Sequence, residues 1–313
     1  MRERLRREVC TNGYDPSTRT IIVSAEFLQQ PHLQTLRWMR VFGDTVFTVG
    51  AAAVRSEMKV LVPAEHGAWG FLAEPLLLGL LVAFSTPGLA LAAAVTAGFL
   101  VRHPLKLALG DRAKGKRYPR TETAERAVAA LVPLAVAGMV AAVAFAGPRI
   151  LLPAALASPA IGVALHHDLR HKGRSRLAEI AAPVGLSWAA ASIALAGGWD
   201  VAPALALWGL LVARGVPSVL YVRARLRLER GEPVARGPAE AAQGVALLGA
   251  AWLAGGGLLP WLSTAAIAVL AGRAFVGLSS LRRPVTARQV GFTELGLGIL
   301  TVLATAVGHW GGC

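Results

Sequence analysis

The sequence predicts an all-α polytopic bundle of about nine transmembrane helices, with the N-terminus inside and the C-terminus outside. Three observations lead there. The 313 residues are 55% hydrophobic and only 16% charged, with mean hydropathy +0.54, whereas soluble domains carry nearer a quarter charged residues. From Trp69 onward the chain breaks into apolar segments, several close to the ~20 residues a helix needs to cross hydrocarbon. The connections between those segments alternate between a basic kind and an almost uncharged kind.

In chain order, the apolar segments predict helices at 67–84, 88–102, 127–146, 149–165, 179–197, 201–222, 240–257, 258–280 and 289–310. The second and fourth are short for a crossing, which predicts little tilt or a locally thinned bilayer. The connections "STPG", "AGPR", "GGWD" and "GGGLLP" carry Arg149 as their one cation. Those containing "RHPLKLALGDRAKGKRYPRTETAER", "HHDLRHKGRSR", "RARLRLERGEPVARG" and "LRRPVTAR" hold twenty Lys and Arg residues. Positive connections stay cytoplasmic, so the first helix starts inside and the ninth ends outside. Trp199, Trp261 and Trp310 then fall at the outer interface as an aromatic belt. Runs such as "AVAALVPLAVAGMVAAVAFAG" let helix backbones approach closely, the main source of packing energy in lipid.

The net charge of +14 belongs to this topology. In a soluble chain it would suggest nucleic acid, but no aromatic-interleaved basic groove or nucleic-acid motif accompanies it. The expected partners are the bilayer and anionic headgroups at the basic connections, where "DRAKGKRYPR" (111–120) reads as a solvated loop. Cys10 and Cys313 stand near opposite ends and form neither a disulfide framework nor a zinc signature. The basic N-terminus is followed by polar residues instead of the apolar core of a secretory signal. Residues 1–57 read as an irregular extension, and 58–313 as the transmembrane domain.

The stretch "PAEHGAWGFLAEPLLLGL" (63–80) places Glu65 and His66 at the mouth of the first helix and Glu74 about 10 Å inside it. Counted from their cytoplasmic ends, Arg214 lies about 13 Å into the sixth helix, Arg273 about 12 Å into the eighth and Glu294 about 8 Å into the ninth. Two acids and two bases therefore share one slab of the inner leaflet, within reach of Gln243 on the seventh helix. An unpaired charge there costs roughly 2.5 to 3.5 kcal/mol, so the four are expected to converge around a polar chamber open to the cytoplasm. His66 and Glu74, about 80° apart around the helix, share a face toward it. Two readings of this layer stay open: a ligand, ion or proton site, or buried pairs that only lock helices together.

"LWGLLVARGVPSVLYVRARLRLERG" (207–231) adds to it. Pro217 is expected to break the sixth helix and free backbone groups near Ser218. Tyr221, Arg223, Arg225 and Arg227 follow at the membrane face. Arg223 and Arg227, one turn apart, suit a phosphate or carboxylate, while the outermost arginines suit anionic lipid. In "HHDLRHKGRSRLAEI" (166–180), His167 and His171 are four residues apart beside His166 and Asp168, a spacing metals use. Four Lys and Arg residues crowd the same loop and oppose a cation, so no metal is assigned. Glu179 is placed to stabilise the N-terminus of the fifth helix. Phosphate-loop, triad and dinucleotide-fold patterns are missing from the sequence.

At "VPAEHGAWGFLAEPLLLGL", "GRSRLAEIAAPVGLS" and "ARGVPSVLYVRARLRLERG" the chain resembles the YwiC-like family, over about 59–310. Members are bacterial polytopic membrane proteins of unestablished function, sometimes encoded near nitrate-respiration genes. The resemblance implies a multi-pass protein of the bacterial inner membrane. It carries over no catalytic role, but His66, Gly67, Trp69, Arg214, Pro217, Ser218, Tyr221, Arg223 and Arg225 match the family's characteristic segments. Nine helices with basic inner loops also resemble UbiA-type prenyltransferases, which hold magnesium diphosphate through paired Asp-rich motifs. The loops here offer only Asp111 and Asp168. "SAEFLQQPHLQTLRWMRVFGDTVFTVGAA" (24–52) is similar to the C-terminal end of a nitric-oxide reductase catalytic subunit and includes none of its haem or copper ligands. This suggests a fusion remnant, or a gene start placed too early, with Met58 as the initiator.

Three functions are compatible with these readings: binding or transport of a small anionic or amphipathic molecule, a UbiA-like intramembrane transferase, or an assembly subunit of a respiratory membrane complex. The first is favoured. The candidate ligand-binding residues are Glu65, His66, Trp69, Glu74, Arg214, Ser218, Tyr221, Arg223, Arg225, Arg273 and Glu294. No cofactor or reaction is assigned.

Overall fold

A computed structural model describes residues 14–15, 20–21, 66–170 and 175–312. The chain divides into two compact units, Met1–Met58 and Lys59–Cys313. In the first, Tyr14–Asp15 and Thr20–Ile21 form a two-residue antiparallel ladder. The 24–52 stretch, Glu65, His171 and both cysteines lie outside the described residues.

The second unit has nine α-helices among its described residues: α1 His66–Val82, α2 Thr86–Ala113, α3 Pro119–Ala146, α4 Leu152–Leu169, α5 Arg176–Ala196, α6 Val201–Glu229, α7 Gly237–Gly255, α8 Trp261–Leu278 and α9 Ala287–Trp310. A 3-10 turn at Pro148–Leu151 leads into α4. Seven of them, α2 to α6, α8 and α9, are long and apolar enough to span a membrane, α4 together with its leading turn. Local chemistry marks several starts. Ser85 and Ser175 accept hydrogen bonds from Gly88 and Ala178 as N-caps, and Thr286 with Gln289 forms a capping box.

The expected short second helix is corrected to 28 residues. Its apolar part ends near Arg102, but the helix runs on because charged residues beyond the membrane edge find partners. Asp111 is buried and accepts from Arg120 and from Thr121, while residues 112–120 are exposed, so the segment is a solvated helix end and turn anchored at Asp111. Pro217 is likewise corrected: α6 passes through it as one continuous 29-residue helix. Five other helices also contain an internal proline, as membrane helices tolerate where neighbours re-satisfy the backbone.

Helix α5 is the hub, packed against α1, α2, α4 and α6. Its small residues allow this: Ala189, Ala190, Ala191 and Ala194 are completely buried. Approach is close where Gly79 of α1 and Gly215 of α6 face it, since a Cβ there would lie 2.8 Å from Ile193 Cβ and 2.7 Å from Pro183 Cβ, respectively. Helix α3 packs chiefly on α2 and exposes Val132, Leu134, Val136, Val140 and Phe145. Such exposed apolar side chains fit a lipid bilayer.

The two ends of the bundle differ in chemistry. At one end Trp310 Nε1 donates to the Leu81 carbonyl at 3.1 Å, Trp199 stacks on His309 at 4.5 Å, and Gly197 meets Ala83. At the other, Arg102 and Lys106 of α2 bind Asp168 of α4 at 3.1 and 2.9 Å, and Arg223 of α6 pairs with Glu179 at the start of α5. Tight, tryptophan-bearing connections thus gather opposite the basic ones.

Candidate functional site

Four charged side chains from four helices meet inside the bundle. Arg214 Nη2 of α6 pairs with Glu74 Oε1 of α1 at 2.8 Å and donates to the Glu294 carbonyl of α9 at 2.7 Å. Arg273 Nη1 of α8 lies 2.9 Å from Glu294 Oε1, and its Nη2 donates to Glu294 Oε2 at 3.2 Å. Glu74 is 7% exposed and Arg214 3%. Single buried charges would not persist in such surroundings, and each of these has an opposite partner.

Periodicity explains the convergence. On α6, Arg214, Ser218, Tyr221 and Arg225 follow a four-three-four spacing, which puts them on one stripe, and all four are buried. Arg273 stacks over the Tyr221 ring at 3.9 Å, and its Nη2 reaches Ser218 Oγ at 3.5 Å. On α9 the matching stripe is Glu294, Gly298, Thr301 and Thr305. Gly298 leaves the gap through which Arg214 reaches the α9 backbone: a Cβ there would overlap Glu74 Oε1 and lie 2.7 Å from Arg214 Nη2.

The pairing leaves donors over. Among the described residues, the buried Nε of Arg214, and Nε and Nη1 of Arg273, have no hydrogen-bond partner. The Arg273 Nη1–Glu294 Oε1 contact is close enough for an ion pair, yet both atoms lack hydrogen-bond geometry. Gln243 is 1% exposed with its Nε2 also unpartnered.

Of the expected residues, Glu74, Arg214, Ser218, Tyr221, Arg273 and Glu294 assemble here. Arg223 does not. Nine residues from Arg214, it lies about 180° around the helix and pairs with Glu179, which is therefore an ion-pair partner. Arg225 lies a turn beyond Tyr221, where Nη1 donates to the Gly277 carbonyl at 2.6 Å, Nη2 donates to the Arg283 carbonyl and pairs with Glu229 at 2.9 Å. It ties α6 to the end of α8. Arg227 holds Glu232, so it and Arg223 each face a carboxylate of their own chain. Trp69 meets Phe99 edge-on at 5.6 Å, about 140° around α1 from Glu74. His66 opens α1, but its side chain lies outside the described residues, as does Glu65. Asp168 binds Arg102 and Lys106, and Asp111 binds Arg120 and Thr121, so both aspartates lie at helix ends and are engaged by groups of their own chain. Gly298 was missed. A glycine in an apolar run gives no signal beyond close packing, although its spacing of four from Glu294 marks the same stripe.

Residues 62–194 match the family model described as YwiC-like protein. This is less than half of the chain and narrower than the resemblance over 59–310. It covers Glu74 and all but the last two residues of the hub helix α5, but not the helices carrying Arg214, Arg273 and Glu294. No curated protein and no solved structure matches the chain, so the resemblances to a nitric-oxide reductase subunit and to UbiA-type enzymes gain no support.

Proposed function

We propose that this chain is a multi-pass protein of the bacterial inner membrane that binds, and in doing so moves, a small anionic or amphipathic molecule at the Glu74–Arg214–Arg273–Glu294 cluster. With the basic connections on the cytoplasmic side, the cluster lies in the inner leaflet and is reached from the cytoplasm.

The observation that carries this reading is the set of buried guanidinium N–H groups on Arg214 and Arg273 without acceptors. A buried donor left unmade costs about 1–3 kcal/mol, and an acceptor-rich anion removes that cost. The Tyr221 ring beneath Arg273 gives such a molecule an apolar wall. Paired charges that served only to lock helices would favour complete hydrogen bonding, which this cluster lacks. The continuous α6 takes away the argument for transport from a broken helix, so movement of the ligand rests on the inner-leaflet position of the cluster.

Native mass spectrometry of the detergent-purified chain tests this. Wild type and an Arg230→Gln control, altered at a solvent-facing Glu232 partner, are expected to retain the same small molecule, and Arg273→Gln is expected to lose it. Identical spectra for all three would overturn the assignment.

A further inference from the structure

The charges of the cluster sum to zero when both carboxylates are ionised and both guanidiniums protonated. Helix α9 packs on α1, α6 and α8, and these contribute Glu74, Arg214, Tyr221 and Arg273 around Glu294. A monoanion arriving at Arg273 would leave the buried cluster with a net negative charge. That charge cannot be answered by the guanidiniums, which already hold all their protons and do not titrate. Net charge in hydrocarbon is costly enough to be answered by neutralisation. Only a carboxylate can supply it, by taking up a proton.

Geometry selects which one. Glu74 is paired with Arg214, itself anchored on the α9 backbone. Glu294 faces the Nη1–Nη2 edge of Arg273, where Nη1, like Nε, lacks an acceptor and the Oε1 of Glu294 accepts no hydrogen bond. An incoming anion competes with Glu294 for that edge.

We infer that anion capture at Arg273 is coupled to protonation of Glu294, with one proton taken up for each anionic charge bound. The inference rests on the binding reading above. The anion replaces the Glu294 carboxylate as the acceptor of Arg273, the proton goes to Glu294, and the cluster stays neutral. Release of the anion returns the proton. Binding therefore weakens as pH rises, about tenfold per pH unit for one linked proton, provided the pH stays above the probe's own pKa. A membrane protein working this way accumulates its anion only where protons accompany it.

The test uses two monoanions, benzoate and dibutyl phosphate, on the full-length detergent-purified chain. Binding is followed by calorimetry in two buffers of different ionisation enthalpy, which yields the protons taken up per anion. At least one probe is expected to bind wild type with about one proton, and Glu294→Gln is expected to bind it with none and without the pH slope. Binding of a probe to wild type with no proton uptake would overturn the coupling and leave the binding reading intact. Uptake persisting in Glu294→Gln would overturn the assignment to Glu294. Failure of both probes to bind wild type and Glu294→Gln at any pH would instead count against the binding reading itself.

Discussion

Replacing Arg214 with alanine is expected to lower the stability of the bundle by about 3–5 kcal/mol, the scale for removing one partner of a buried pair. Arg214 joins three helices at once: its own α6, α1 through Glu74 and α9 through the Glu294 carbonyl. Its loss leaves the Glu74 carboxylate, 7% exposed, with no counter-charge. The double variant Arg214→Ala/Glu74→Gln removes that stranded charge and is expected to regain about 1–3 kcal/mol, since a neutral amide costs less to bury. Thermal unfolding in detergent, followed by fluorescence-detected size exclusion, reads both effects. A double variant no more stable than Arg214→Ala would contradict the pairing.

Gly298→Val is expected to have the second-largest effect, about 1–3 kcal/mol as overpacking in a close-fitted interior. No charge is lost, but a Cβ at Gly298 would occupy the position of Glu74 Oε1 and press on Arg214 Nη2. The side chains must part, and the Arg214 bond to the Glu294 carbonyl breaks with them. Gly298→Ala should show a smaller loss in the same direction. Gly291, which lies on the same helix with open space at its Cβ position, should accept alanine with little change. Equal tolerance of alanine at the two positions would show that the α1–α9 approach is looser than described.

What was legible in the sequence follows from how far hydropathy reaches. It located nine helices because each apolar run ends at a glycine, a proline or a basic cluster. It stopped too early on α2 and α6, because a helix leaving the membrane becomes amphipathic and charged without ending. Asp111, bonded by Arg120 and Thr121, and Arg225, bonded to two carbonyls, show that such charges can be interior groups. Nothing in a hydropathy profile separates them from solvated ones.

The charge layer was legible through depth. Glu74, Arg214, Arg273 and Glu294 are isolated ionisable groups in apolar runs, and counting from the loop ends placed them at one level. Direction around each helix was harder. Arg214 and Arg223 look equivalent along the chain, yet the 214–218–221–225 spacing turns Arg214 inward, and Arg223 faces Glu179 instead. Ser218 and Tyr221 were legible as neighbours of Arg214, whereas their role beneath Arg273 depends on the packing of α6 on α8, which one sequence does not specify. Gly298 contributes by lacking a side chain, and a missing side chain leaves no chemical mark.

The central claim is that charges from α1, α6, α8 and α9 act as one unit, and a double-mutant cycle between Glu74→Gln and Arg273→Gln tests it most directly. These residues belong to different ion pairs and are linked through Arg214 and Glu294. A single cluster predicts that the two stability changes fail to add, with a coupling of about 0.5–3 kcal/mol. Additivity to within about 0.3–0.5 kcal/mol would mean two independent salt bridges and would contradict the account.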